Sequence, residues 1–194
     1  MKNVVPVIIA SVAALCSFLA FIFTIVLKGD AWAYLDVIFK FLGIAGLLTL
    51  VILKLVNINI SKLFYTLPLI GFAIASLLTG IHALIEIGDT YKFHRYHYFS
   101  QFILSLISIA AMGLFIFSIL KDNFVLSATS LMYLAAGLFN EGLTAFNGTL
   151  FSMTSARVFE QLFYAFMSNS ASFLFFVTLF WLALEFHNSA KNRY

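Results

Sequence analysis

His82, Glu86 and Asp89 follow one another at steps of four and three residues, which on a helix places an imidazole and two carboxylates on one face. A carboxylate one turn from an imidazole accepts its N–H and fixes its tautomer, so this stripe can hold a ligand or relay a proton. His97, Gln101, Ser105 and Ser108 repeat nearly the same spacing further along. Asn140, Glu141 and Thr144 form a third polar group, and Arg157, Glu160, Gln161, Tyr164 and Ser168 a fourth. Lys40 is the isolated cation, with Asp36 one turn before it, placed to snorkel, to pair with Asp36, or to meet Glu86, Glu141 or Glu160. The candidate ligand-binding set is therefore Lys40, His82, Glu86, Gln101, Glu141, Glu160 and Gln161, with Trp32, Tyr91 and Phe151 as apolar walls. Mixed charges among aromatic rings suit a small charged, zwitterionic or amphipathic solute. A cation or proton path through the glutamates has the same ingredients.

The surroundings of these groups decide what they mean. Of 194 residues, 63% are hydrophobic and 10% charged, against about 25% charged in a soluble domain, and mean hydropathy is +1.05. Eleven basic and eight acidic side chains are too few to cover a soluble domain of this length, so the chain reads as an integral membrane protein with the lipid bilayer as its first partner. Crossing about 30 Å of hydrocarbon takes about 20 apolar residues, and six segments qualify: 4–27, 31–56, 64–87, 98–120, 124–146 and 158–186. Continuous apolar runs of this kind lack the period-two alternation of barrel strands and predict helices. The expectation is an all-α bundle, one six-helix domain over residues 1–194, with short connections and a polar tail over 187–194.

An ionisable group inside such a bundle is costly and marks a pathway or a site. Asp30, Asp36, Glu86, Asp89, Glu141 and Glu160 all fall toward the side of the first, third and fifth connections, leaving Asp122 and Glu185 on the other. That acidic side is the expected working face. Lys and Arg divide more evenly: Lys2, Lys54, Lys62, Lys121, Lys191 and Arg193 lie with the termini, and Lys28, Lys40, Lys92, Arg95 and Arg157 lie opposite. The small excess orients both termini to the cytoplasm in a multi-pass protein of the cell membrane.

Three glycines, Gly29, Gly88 and Gly148, each precede an aromatic residue by three positions, at separations of 59 and 60. With Lys40, Gln101 and Gln161 at similar distances beyond them, the chain suggests three repeated helical hairpins converging on one cavity.

Other chemistries find less support. No cofactor is expected. The competing reading, an intramembrane redox enzyme with a haem or a transition metal on His82 and His97, rests on two histidines facing the same side. His94 and His97, flanked by Tyr91, Tyr96 and Tyr98, read more simply as an interfacial belt. There is no G-x-S-x-G elbow and no phosphate loop, so an enzyme is not the favoured class. Basic residues scattered singly exclude nucleic acid as a partner. Cys16 stands alone and serves helix packing.

Ala10, Ala14 and Ser17 line one face of the first span, and Gly71, Ala75 and Thr79 one face of the third, which permits close backbone approach within the chain or docking to another membrane subunit. In size, six-span layout and lack of soluble domains the chain is similar to the substrate-binding membrane subunits of energy-coupling-factor importers, and Ala10-x-x-x-Ala14 fits a small-residue docking face of that kind. The resemblance implies capture of a solute outside the membrane and docking to a partner, the alternative being a small accessory subunit.

The orientation is directly testable. In a Cys16→Ala background, an impermeant thiol reagent applied to intact cells is expected to label Thr90→Cys and to spare Lys191→Cys; the opposite pattern turns the acidic face inward.

Overall fold

The computed structural model describes residues 4–58, 60–89, 92–121, 123–155 and 159–191. Within them lie six helices: α1 (Val5–Val26), α2 (Ala31–Leu55), α3 (Lys62–Asp89), α4 (Lys92–Lys121), α5 (Phe124–Ser155) and α6 (Phe159–Lys191). Their ends are set by local chemistry. Asp30 caps α2 by accepting the Ala33 N–H at 2.8 Å. Asn123 caps α5, its Oδ1 accepting from Val125 and Leu126 at 2.9 and 3.2 Å. α1 closes with Lys28 at φ 53° while the Gly29 N–H donates to the Thr24 carbonyl, and α2 closes alike with Asn57 at φ 62° and the Ile58 N–H on Leu53. These left-handed caps satisfy the last carbonyls within one turn, so the chain can reverse tightly.

The helices form a closed ring in chain order, each packed on its sequence neighbours and α6 returning to α1, with α2 and α6 also meeting across the centre. At the heart of the ring Phe72 stacks on Phe175, with centroids 3.9 Å apart and planes 5° from parallel, and Phe176 meets both edge-on. α2 and α3 cross at their glycines. A Cβ at Gly43 would lie 2.9 Å from the Phe72 backbone nitrogen and 3.0 Å from the Pro68 carbonyl oxygen, and one at Gly71 would lie 3.3 Å from the Gly43 nitrogen. Close approach here lets Phe72 reach the centre.

The outer surface is inverted relative to a soluble protein. Ile8, Leu15, Leu42, Leu67, Leu84, Leu106, Phe117 and Phe139 all stand exposed around the ring, a pattern that only an apolar surrounding tolerates. The chain is a multi-pass membrane protein.

Three expectations change. Among the described residues five helices, not six, are long and apolar enough to cross a bilayer: α1, α2, Lys62–Gly88 of α3, Tyr98–Lys121 of α4, and Phe159–Ser189 of α6. α5 is long enough, but adjacent Asn140 and Glu141 with Ser127, Thr129 and Ser130 lower its apolarity. Second, the stretch after Phe146 is helical to Ser155, so Gly148 lies inside α5 and Gly88 inside the last turn of α3, while Gly29 is in a connection. The three glycines do not occupy equivalent places. Third, Ala10 and Ser17 are 1% and 2% exposed and Ala14 is half-buried, so this face of α1 is covered by the chain's own helices and is not offered to another subunit.

Gly43→Ala is expected to lower the melting temperature of the detergent-solubilised protein, in line with about 1–3 kcal/mol for forcing a methyl against backbone. Gly113→Ala, with nothing within 4 Å of its Cβ, serves as the neutral control in the same thermal assay.

Candidate functional site

Polar side chains collect in one layer of the ring, nearer the end that carries the α1–α2, α3–α4 and α5–α6 connections, called here the odd end. Lys40 lies nine residues into α2, about 13 Å along the axis from its start. Its ammonium pairs with Asp36 at 2.7 Å, both side chains being 16% exposed. The Thr79 hydroxyl, on α3, lies 2.7 Å from the other Asp36 oxygen and 3.0 Å from the Ala75 carbonyl. Thus the pair spans α2 and is tied to α3. Tyr164 of α6 sits beside the hydroxyls of Thr24 and Ser168 and close enough to Lys40 to feel its charge.

Glu141, near the middle of α5, is buried at 9% exposure. The Ser108 hydroxyl of α4 reaches its Oε1 at 3.5 Å. Between these groups lies a cavity of about 60 Å³, lined by Lys40, Ser76, Thr79, Gln101, Ser105, Ser108, Glu141, Asn169 and Ser172, with Phe72 and Leu104 as its apolar wall. At about 10–15 Å³ for each water, that is room for a few waters or one very small solute. Beyond Phe72 the aromatic cluster with Phe175 and Phe176 closes the centre, and Met112, Phe115 and Leu179 continue the apolar core.

The opposite, even end has polar contacts of its own. Lys54 pairs with Glu185 and lies over the Trp181 ring, 5.2 Å from its centroid. Ser127 Oγ and His187 Nδ1 are 2.8 Å apart, and the His187 ring stacks on Phe124. These contacts fasten α2 and α5 to α6.

Of the residues singled out from sequence, Lys40, Gln101 and Glu141 come together around the cavity. His82 and Glu86 are mutual neighbours at 3.7 Å on the last turns of α3, and the His82 ring faces Trp32 at 6.2 Å. They lie toward the odd end and do not line the cavity. Glu160 is half-buried in the first turn of α6, and the Gln161 side chain is exposed. Tyr91 lies outside the described residues, as do the side chains of Phe151 and His97. Among the described residues no group of three His, Cys, Asp or Glu side chains is placed to hold a metal ion of the kind such ligands bind.

Sequence reasoning missed Ser76, Asn169 and Ser172. Ser76 stands next to the Gly71–Ala75–Thr79 stripe, read as packing alone, and Asn169 and Ser172 follow Ser168 by one and four residues, a continuation of the stripe on α6 that its helical period would have carried inward.

No family model, curated protein or solved structure gives a significant match to this chain.

The Asp36–Lys40 pair sets a stability test. Asp36→Asn leaves the Lys40 ammonium short of its partner in the bundle and is expected to cost on the order of 3 kcal/mol, read as a lowered unfolding midpoint in detergent. The double variant Asp36→Leu/Lys40→Met, which removes both charges, is expected to recover most of that loss.

Proposed function

We propose that this chain is a membrane transport protein, or the solute-binding membrane component of one, that takes a small charged or zwitterionic solute into its central cavity from the odd end. The observation that supports the reading most is a cavity lined by a cation, a carboxylate and several hydroxyls, set inside a ring of helices whose outer faces are apolar. Ionisable groups at this depth are expensive, and structural packing alone gains nothing from grouping them around a void. An apolar core of equal volume would stabilise the bundle as well.

In this reading the solute lies in the space that Lys40, Gln101 and Glu141 line. His82, Glu86, Trp32, Glu160 and Gln161 form the approach from the odd end. The Phe72–Phe175–Phe176 cluster seals the path toward the even end, and the Lys54–Glu185 pair lies beyond the seal. A site open to one side and blocked on the other by a packed aromatic layer is one half of an alternating-access cycle. α5 crosses the membrane as a sixth span, with its Ser127, Ser130 and Glu141 side chains buried, and both termini face the cytoplasm. The size of the cavity narrows the solute: an amphipathic molecule with a hydrocarbon part does not fit the space, whereas an ion or a solute of a few heavy atoms does.

Cysteine reactivity tests the reading. In a Cys16→Ala background, Ser172→Cys is expected to react with a small cationic methanethiosulfonate applied from the odd-end side of right-side-out vesicles. Inverted vesicles are expected to protect it. Equal reactivity from both sides, or none from either, contradicts a cavity loaded from the odd end.

A further inference from the structure

Three charged side chains lie in the central layer of the ring, and two of them cancel. Lys40 is held by Asp36 at 2.7 Å, and Asp36 is further held by the Thr79 hydroxyl. Glu141 is different. Among the described residues no cation lies within ion-pair distance of it, and its hydrogen-bond partner is Ser108, at a long 3.5 Å. An ionised carboxylate presents about four lone-pair positions, so most of the hydrogen-bonding capacity of Glu141 is left to whatever fills the cavity it lines. With Asp36, Lys40 and Glu141 all ionised the layer carries one net negative charge beside the cavity, and burial favours a neutral layer, reached either by a proton on Glu141 or by a bound counter-ion.

Apart from the Asp36-paired Lys40, the polar groups lining that space share one chemistry. Ser76, Ser105, Ser108, Asn169 and Ser172 line the cavity with Glu141, all offering hard oxygen atoms, with no thiol or imidazole among the lining groups. The Ser105 hydroxyl donates to the backbone carbonyls of Gln101 and Phe102, each at 2.9 Å, which leaves its lone pairs free to accept. Hard oxygen donors with a carboxylate select alkali and alkaline-earth ions over the softer transition metals. The charge then chooses between the two groups: one monovalent ion neutralises the layer, while a divalent ion would leave an excess positive charge in the membrane interior. The volume, about 60 Å³, fits one such ion with a residual water or two.

We propose that the cavity binds a single monovalent metal cation, Na⁺, between the Glu141 carboxylate and the surrounding serine and asparagine oxygens. The Lys40 ammonium also lines the cavity, held by Asp36 at 2.7 Å, and its charge is felt at Glu141. This inference rests on reading the cavity as a binding site and names the class of solute that it takes.

The test is equilibrium binding of ²²Na⁺ to the full-length purified protein in detergent, with choline chloride holding the ionic strength constant. Saturable binding of one ion per chain is expected. Glu141→Gln should weaken it at least tenfold and Ser108→Ala measurably, while Asp30→Asn, which keeps a good helix cap far from the cavity, should leave it unchanged. Glu141→Asp, keeping the charge, should retain part of the binding and guards against a Glu141→Gln protein that merely misfolds. Absence of saturable binding to the native chain, undiminished binding by folded Glu141→Gln, or stabilisation by protons alone with no response to Na⁺ would each overturn the proposal. Ser172→Cys reactivity separates this failure from that of the broader reading: a reactive cysteine that Na⁺ does not protect removes the cation and leaves the cavity, whereas an unreactive one removes both.

Discussion

An ammonium group in the middle of a hydrocarbon slab is the constraint around which this molecule is built. Lys40 sits about 13 Å along its helix from the odd end, too deep for its charge to be left unpaired, and Asp36 one turn away meets it at 2.7 Å. A pair on one helix could snorkel together to the interface. Thr79 on the neighbouring helix holds the Asp36 carboxylate instead, so the pair faces inward and α2 and α3 are fixed in rotation about their axes. With that rotation set, Gly43 and Gly71 come into close contact and Phe72 points to the centre, where it stacks on Phe175. The polar layer and the aromatic layer beneath it are thus consequences of the same orientation.

Every other helix answers to this arrangement. α4 and α5 contribute Ser108 and Glu141 to the same layer, and α6 contributes Asn169 and Ser172. α6 also carries the contacts that hold the far end, through Glu185 to Lys54 and His187 to Ser127. Because the polar groups are gathered inside the ring, the outer faces are left to aliphatic and aromatic side chains that cost nothing against acyl chains. Among the described residues α5 is the helix without an apolar stretch of spanning length, and also the one that places a carboxylate at the cavity. Its weak hydropathy and its role at the cavity have one cause.

How much of this was legible in the sequence follows from what each signal depends on. Length and apolarity act locally, so the existence and approximate limits of the helices were readable, including those of α2 and α6. α5 was read as a span over 124–146, yet Asn140 and Glu141 with its serines and threonines leave it without an apolar window of spanning length, and the packing places Glu141 at the cavity. The gathering of Lys40, Gln101 and Glu141 was readable from helical spacing and depth. His82 and Glu86 continue the stripe of the α3 cavity residues one to two turns nearer the odd end, where they pair with each other and His82 faces Trp32, a difference of depth that spacing alone does not reveal. The role of Ala10 and Ser17 was not readable, since small residues permit close approach without stating which helix approaches. The match among Gly29, Gly88 and Gly148 reflected spacing in a phenylalanine-rich chain, and helix boundaries rather than composition decided that the three places differ.

The central claim is that Lys40 of α2 and Glu141 of α5, with polar side chains of α3, α4 and α6, surround a hydrated, occupiable cavity inside the membrane. An experimental density map of the protein in a lipid nanodisc examines it most directly. The account predicts a resolved peak within hydrogen-bonding distance of a Glu141 oxygen, inside the ring and on the odd-end side of the Phe72–Phe175 stack. A Glu141 side chain turned into the acyl chains, with the space between Lys40 and Ser108 collapsed, would contradict it.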